Sequence, residues 1–254
     1  MRLHFRKYGQ GPPLIILHGL FGSSDNWHTL ARRWGVSFTV YALDQRNHGS
    51  SPHESTMNYD EMVQDLIQFI KQEKLETVNI IGHSMGGKVA MQFASQYGDV
   101  VNNLVVLDIG VGQMGGKHAP ILKALETLNL DEYDSRDAVQ KALEEFVESE
   151  SIRQFLQKNV MRRVDGSYSW KFNRAALLDN YEGLIAGLDL DQPFLGPVLF
   201  LRGEYSDYLE PELSTELLQP FPLAQMLTIA GGGHWLHAEQ PDAVFQQILD
   251  FFLE

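Results

Sequence analysis

Val78-Asn79-Ile80-Ile81-Gly82-His83-Ser84-Met85-Gly86-Gly87 is the stretch on which the reading of this chain turns. It joins a short, apolar, β-branched run to a Gly-x-Ser-x-Gly pentapeptide and then to a helical pattern over residues 88–97. A serine on a sharp strand-to-helix turn needs small neighbours, because the backbone there is strained and crowded; Gly82 and Gly86 supply that freedom. Such a turn lifts Ser84 Oγ above the sheet edge, and the N-terminal N–H groups of the following helix point at the same spot. A weak alcohol thereby becomes a usable nucleophile. Glycine and serine are common, so the pentapeptide alone says little. The strand before it and the helix after it give it weight.

Other apolar runs repeat the strand pattern. Leu14-Ile15-Ile16-Leu17 reads as a buried strand ending at His18-Gly19, and residues 38–43 as a second ending at Asp44. Residues 104–107 lead into Asp108, residues 197–201 into Arg202-Gly203, and residues 224–229 into Gly231-Gly232-Gly233-His234. Met62, Leu66, Phe69 and Ile70 stand at helical spacing within residues 59–73, and residues 242–253 form a closing amphipathic helix. Strands alternating with helices predict an α/β chain with a mostly parallel sheet. Continuously apolar strands fit a sheet covered on both faces, and in such sheets chemistry gathers at the C-terminal ends of the strands. The rhythm breaks between Gly110 and about Asp189, where the pattern reads as several short helices without a convincing buried strand. The expected organisation is a core of residues 1–110 and 187–254, with residues 111–186 inserted as a helical cap.

Composition narrows the classes. At 254 residues and 44% hydrophobic content the chain suffices for one large α/β domain with an insertion. Cysteine is absent, which excludes disulfides and thiolate metal sites and fits a reducing compartment. No apolar run approaches the ~20 residues of a membrane span, and Met1-Arg2-Leu3-His4-Phe5-Arg6 lacks a signal-peptide core. A cytoplasmic location is the expectation. The net charge of −13 argues against general nucleic-acid binding. That charge is uneven: residues 131–150 carry eight acids against Arg136 and Lys141, whereas residues 153–174 carry six bases against Asp165. Two readings of the basic stretch stand side by side, a solvated helix face and a cationic rim that attracts an anionic substrate.

Four motifs in order, His18-Gly19-Leu20-Phe21-Gly22, Asp44-Gln45-Arg46-Asn47-His48-Gly49-Ser50-Ser51, the serine turn, and Gly233-His234-Trp235, together resemble the α/β-hydrolase superfamily. The likeness is to its serine-esterase branch with a helical cap, nearest the small bacterial YbfF-type group, and it spans nearly the whole chain. It implies a sheet of the α/β-hydrolase type. It implies Ser84 as nucleophile, His234 as general base, and the backbone N–H groups of Leu20 and Met85 as the oxyanion hole. His18 reads as a brace for its loop, Asp44 and Arg46 as braces of a strand end, and His237 as a packing or capping residue.

The acid has two candidates. The commonest family position follows residues 197–201, but counting on from Gly203 reaches Ser206, with Asp207 one residue late. The family's alternative, at the end of the strand after the nucleophile helix, falls on Asp108. A carboxylate at a buried strand tip is costly unless partnered, and a histidine would relieve that cost. Asp108 is therefore the first assignment, Asp207 the runner-up, and Ser206 an auxiliary to the acid–histidine pair. Both keep the chain order serine, acid, histidine.

The resemblance implies an esterase or acyl thioesterase working through an acyl-enzyme, on a small-molecule acyl ester or thioester, with no cofactor and no metal. Carbon–carbon bond hydrolysis on the same fold remains an alternative, as does, more remotely, a non-catalytic binding scaffold. Dehalogenase or epoxide-hydrolase chemistry would need a carboxylate where Ser84 stands. Phe21 and Trp235 are candidate substrate contacts, and Arg162 and Arg163 candidate grips for an anionic leaving group such as coenzyme A.

Overall fold

The structure is a computed structural model that describes residues 1–115, 118–210, 212 and 214–253. Seven strands form one sheet: β1 (Phe5–Tyr8), β2 (Pro13–Leu17), β3 (Thr39–Leu43), β4 (Val78–His83), β5 (Val101–Leu107), then, after the short β6 (Val160–Arg162) and β7 (Tyr168–Trp170), β8 (Val198–Gly203) and β9 (Ala224–Ile229). Their order is β1-β3-β2-β4-β5-β8-β9. All neighbours are parallel except β1, which pairs antiparallel with β3.

Register decides where chemistry can happen. Leu17 pairs with Gly82, His83 with Leu107, and Leu107 with Leu201. The residues that follow these strand ends, His18, Ser84, Asp108 and the 202–203 segment, leave the sheet at one edge, side by side. With β4 at the centre of the order, Ser84 emerges at the middle of that edge.

Alternation along each strand splits the apolar residues between two layers, as strand pleating requires. Leu14, Ile16, Val40, Ile81, Val105 and Leu201 face α1 (His28–Trp34) and, at the chain's end, α11 (Pro241–Leu253), whose Val244 and Ile248 are fully buried. Ile15, Leu17, Ile80, Val106 and Phe200 face α2 (Tyr59–Gln72) and α3 (Met85–Gln96). Helix α2 begins where the Asn58 side chain accepts from Glu61 N–H at 2.9 Å, with Asp60 and Glu61 in the first turn, where the helix dipole favours acids.

Three elements differ from the sequence pattern. β1 reads Phe-Arg-Lys-Tyr and is half-exposed, too short and polar to register as a buried strand; it forms because the edge of β3 is open to it. β9 is an edge strand with an alternating, largely exposed pattern rather than a continuous apolar run. Between β5 and β8, the helices α4 (Ala119–Thr127), α5 (Arg136–Glu144), α6 (Glu150–Lys158), α7 (Arg174–Asp179) and α8 (Tyr181–Ile185) are interrupted by the β6–β7 hairpin, closed over Gly166 at φ 93°. Three-residue strands carry too little periodicity to be seen beforehand.

The two ends of this inserted segment run together. Met114 N–H donates to Ile185 O and Leu188 N–H to Val111 O, both at 2.8 Å. Beneath them the buried Lys88 of α3 donates from Nζ to Gly112 O at 2.7 Å and to Ala186 O. Burial pushes this amine down to about 8, against the pull of Glu216. Among the described residues no helix is long and apolar enough to cross a membrane.

Candidate active site

The backbone strain at the β4–α3 junction falls on Ser84 itself, at φ 51° and ψ −120°. A non-glycine residue held there costs on the order of 1–3 kcal/mol. Gly82 and Gly86 are needed for the crowding that the pentapeptide suggests. A Cβ on Gly82 would lie 2.4 Å from Gly86 O, and one on Gly86 2.4 Å from Leu17 O. The turn is so tight that only glycine lets helix and strand backbones meet. Ser84 N–H is tied to Leu107 O at 3.0 Å, which locks the turn to β5.

Three predicted residues converge. His234 Nε2 lies 3.1 Å from Ser84 Oγ, and His234 Nδ1 lies 2.8 Å from Asp108 Oδ2. Asp108 is fully buried, and its own φ of 54° turns it back toward the histidine. Its carboxylate also accepts from Gly203 N–H at 2.9 Å and from the Ser206 hydroxyl. A buried carboxylate so satisfied is held in one orientation. Asp207, the other acid considered, is exposed in the loop after β8. The Tyr208 ring stacks on the His234 imidazole, centroids 3.7 Å apart and planes 18° from parallel.

His83, inside the pentapeptide, has a role the pattern did not suggest. Its Nε2 lies 2.8 Å from the His234 carbonyl oxygen, so the nucleophile turn holds the backbone of the histidine loop. Burial and the neighbouring His237 and His234 push His83 well below the usual imidazole range, which leaves it a neutral donor. His237 is buried, stacked on Trp27 at 4.4 Å, and lowered to about 3 by the same cause.

The two backbone amides expected to form the oxyanion hole belong to Met85 and Leu20. Met85 N–H opens α3 and, as a first-turn amide, has no acceptor within the helix. Leu20 sits in the turn after β2, closed by Gly22 N–H to Gly19 O at 3.0 Å. Two histidines hold that turn from below. His18 lies 2.8 Å from Gly19 O through Nδ1 and accepts from Gln45 N–H at 3.0 Å through Nε2. His48 Nε2 accepts from Phe21 N–H at 3.2 Å, while its Nδ1 lies 2.9 Å from Arg46 O. Burial lowers both, His48 to about 3, so each offers one donor and one acceptor. Asp44 accepts from Ser24 N–H at 2.7 Å and Ser50 N–H at 2.9 Å, and Arg46 donates to Asp65 at 2.6 Å and to Glu61. The loop after β3 thus acts as a frame for the loop after β2.

Ser84 and His234 face a small, partly open cavity of about 20 Å3. Its apolar walls are Leu20, Phe21, Ile121, Phe155 and Trp235, and His118 of the inserted segment lines it too. Phe155 of α6 and Trp235 meet across it with ring centroids 5.8 Å apart. Phe21 and Trp235 are therefore at the cavity as anticipated, but Arg162 and Arg163 are not among its lining. Both sit on the exposed β6–β7 hairpin, where Arg163 pairs with Asp131 at 2.8 Å and Arg162 Nε donates to Gly166 O at 3.3 Å. Their charge is displayed on the exposed surface of that hairpin. His118 was not singled out in the sequence. A lone histidine before a short helix carries no pattern.

A hydroxyl on a strained turn, an imidazole hydrogen-bonded to it, a buried carboxylate behind the imidazole and a first-turn amide beside the hydroxyl can together perform acyl transfer. Comparison with known proteins points the same way. Residues 12–241 match the family model of the alpha/beta hydrolase fold. The chain is 36% identical to Esterase YbfF of Escherichia coli K12, covering 93% of this chain and 91% of that one. It is also 36% identical to the sn-1-specific diacylglycerol lipase ABHD11 of Mus musculus, covering 94% of this chain and 80% of the other. The solved structure of a marine microorganism esterase superposes with a TM-score of 0.95 at 43% identity, covering 99% of both chains.

Proposed function

This chain belongs to the α/β-hydrolase family, and from that premise we propose that it cleaves carboxylic esters with Ser84 as nucleophile, His234 as general base and Asp108 as the triad acid. One observation carries the assignment: the unbroken run of hydrogen bonds from Asp108 Oδ2 through the His234 imidazole to Ser84 Oγ, buried beside an apolar cavity. His234 Nε2 takes the Oγ proton as Oγ attacks the ester carbonyl. The charge that develops on the carbonyl oxygen is met by the N–H groups of Met85 and Leu20. Protonated His234 then hands its proton to the leaving alcohol, an acyl-Ser84 remains, and water activated by the same imidazole releases the acid. Asp108 holds Nδ1 protonated, so that Nε2 is the free base.

Residues 111–186 act as a cap over this site. Supporting that reading, Ile121 and Phe155 wall the cavity, and Lys88 ties the two ends of the segment to the nucleophile helix. The apolar walls and small volume favour a short, neutral acyl group, each CH2 that is buried being worth about 0.8 kcal/mol. The absence of cysteine suits a reducing compartment, and we place the enzyme in the cytoplasm. The test is Ser84→Ala, which keeps the fold and loses turnover of p-nitrophenyl esters by several orders of magnitude. A folded variant that kept more than a small fraction of kcat would remove Ser84 from the mechanism.

A further inference from the structure

We propose that Tyr208 is a positioning residue for His234: its stacked ring sets the tilt of the imidazole and favours the protonated form that arises during ester cleavage. The proposal rests on the assignment of Ser84 and His234 as nucleophile and base. Hydrogen bonds to Asp108 and Ser84 fix the two ring nitrogens of His234. Together with the Cβ tether they define the plane of the ring. Contact with a face of the ring adds resistance to tilting out of that plane. Tyr208 supplies it, near-parallel at 18° and 3.7 Å. His83 and Trp235 meet the imidazole at 43° and 75°, with centroids 4.9 and 5.4 Å away, and so bear on it obliquely.

The stack also bears on charge. An aromatic face carries negative potential and attracts an imidazolium more than a neutral imidazole. When Ser84 Oγ bonds to the carbonyl carbon and the carbonyl electron pair moves to oxygen, the Oγ proton passes to His234. The imidazolium then lies between the Asp108 carboxylate and the Tyr208 ring. The titratable groups that face it are Asp108 from β5, His83 from β4, His118 from the inserted segment, His237 from α10 (Leu236–Glu239), and Tyr208. Burial keeps the three histidines neutral, His118 at about 4 and His237 at about 3, and raises the Tyr208 phenol to about 12. With these neighbours left in place, a change in His234 basicity on altering Tyr208 reports the ring.

Tyr208 is itself held on three sides. Its N–H donates to Ser206 Oγ at 3.3 Å, and Ser206 in turn donates to Asp108. The Arg202 guanidinium donates to Ser206 O at 3.0 Å and Leu209 O at 3.2 Å, which straps down the backbone on either side. The phenol oxygen lies 3.5 Å from His118 Nε2, and His118 Nδ1 lies 3.0 Å from the Tyr181 hydroxyl. One short loop thus supports the acid through Ser206 and the base through Tyr208, and touches the inserted segment.

The experiment compares Tyr208→Leu, which removes the ring, with Tyr208→Phe, which keeps it. Two readouts are taken: kcat and KM for a neutral p-nitrophenyl ester against pH, and the His234 imidazole titration by NMR in Ser84→Ala protein. Removing the ring should lower kcat roughly 3- to 30-fold at nearly constant KM and move the His234 titration to lower pH. Tyr208→Phe should rescue both. Tyr208→Met, a second ring-free and adaptable side chain, stands in if the leucine variant does not fold. A ring-free variant with wild-type kcat and wild-type His234 titration would overturn the proposal. So would a phenylalanine variant as impaired as the leucine one. Wild-type protein without Ser84-dependent turnover would instead refute the esterase assignment, and the imidazole titration would still decide the role of Tyr208.

Discussion

Replacing Asp108 by asparagine changes one buried oxygen to an NH2 group and should cost about 10⁴ in kcat, the loss expected when a triad histidine is held in the wrong tautomer. The geometry explains why the loss should be that large. Asp108 Oδ1 accepts from Gly203 N–H, and an asparagine carbonyl can keep that bond. Its amide nitrogen then replaces Oδ2 and faces both Ser206 Oγ and His234 Nδ1. Ser206 can rotate to accept, but His234 must give up its Nδ1 proton to accept the amide N–H. The proton moves to Nε2, the atom that should take the proton of Ser84 Oγ. The oxyanion donors and the cavity are untouched, so the loss is confined to the base. A factor of 10⁴ corresponds to about 5.4 kcal/mol of transition-state stabilisation. Asp207 is exposed, and Asp207→Asn should stay within roughly threefold of wild type. The assay is kcat on a short-chain p-nitrophenyl ester, with near-UV circular dichroism as the check on folding. A folded Asp108→Asn enzyme retaining more than about a tenth of wild-type kcat, or an Asp207→Asn enzyme falling as far, would refute the assignment.

Stability should fall as the solution is acidified below about pH 6.5, where free histidine begins to titrate. His18, His48, His83, His118 and His237 are kept neutral by burial, so the unfolded chain binds more protons than the folded one below that pH; each adds a loss of up to about 1.4 kcal/mol per pH unit down to its folded value. Urea midpoints at pH 7.5 and 5.5 measure this, and equal midpoints would show that these histidines are not held neutral. The charge of Arg162 and Arg163, displayed on the exposed hairpin rather than in the cavity lining, should not distinguish acyl-CoA from a neutral ester of the same acyl chain. Arg162→Ala/Arg163→Ala should change KM for both equally, and a selective rise for acyl-CoA would bring the hairpin back to the substrate.

Much of this site is legible in the sequence because its parts lie at strand ends. Ser84, Asp108 and His234 each follow an apolar run directly or after a few glycines, and register in a parallel sheet brings such ends together. Burial made Asp108 the better acid candidate before any distance was known, since a carboxylate at a buried tip needs a partner. What stayed hidden depends on tertiary contact. The His83 bond to the His234 carbonyl joins residues 151 positions apart, and the Tyr208 stack and the place of His118 arise only once loops and inserted helices pack together. The basic run at residues 153–174 left two readings open for a related reason. One-dimensional charge does not say where a hairpin lies, and here Arg162 and Arg163 sit outside the cavity lining. Gly82 and Gly86 were legible as necessary in a crowded turn, while the particular contacts, with Gly86 O and Leu17 O, were not.

The central claim is that His234 and Asp108 make Ser84 a nucleophile, and covalent capture tests it most directly. Wild-type protein and the Ser84→Ala, His234→Ala and Asp108→Asn variants are treated with a fluorophosphonate probe and analysed by intact mass and peptide mapping. The account predicts one adduct per chain, on Ser84, formed rapidly in wild type, absent in Ser84→Ala and slowed by orders of magnitude in the other two variants. An adduct on another residue, or labelling of Ser84 at the wild-type rate without His234, would contradict it.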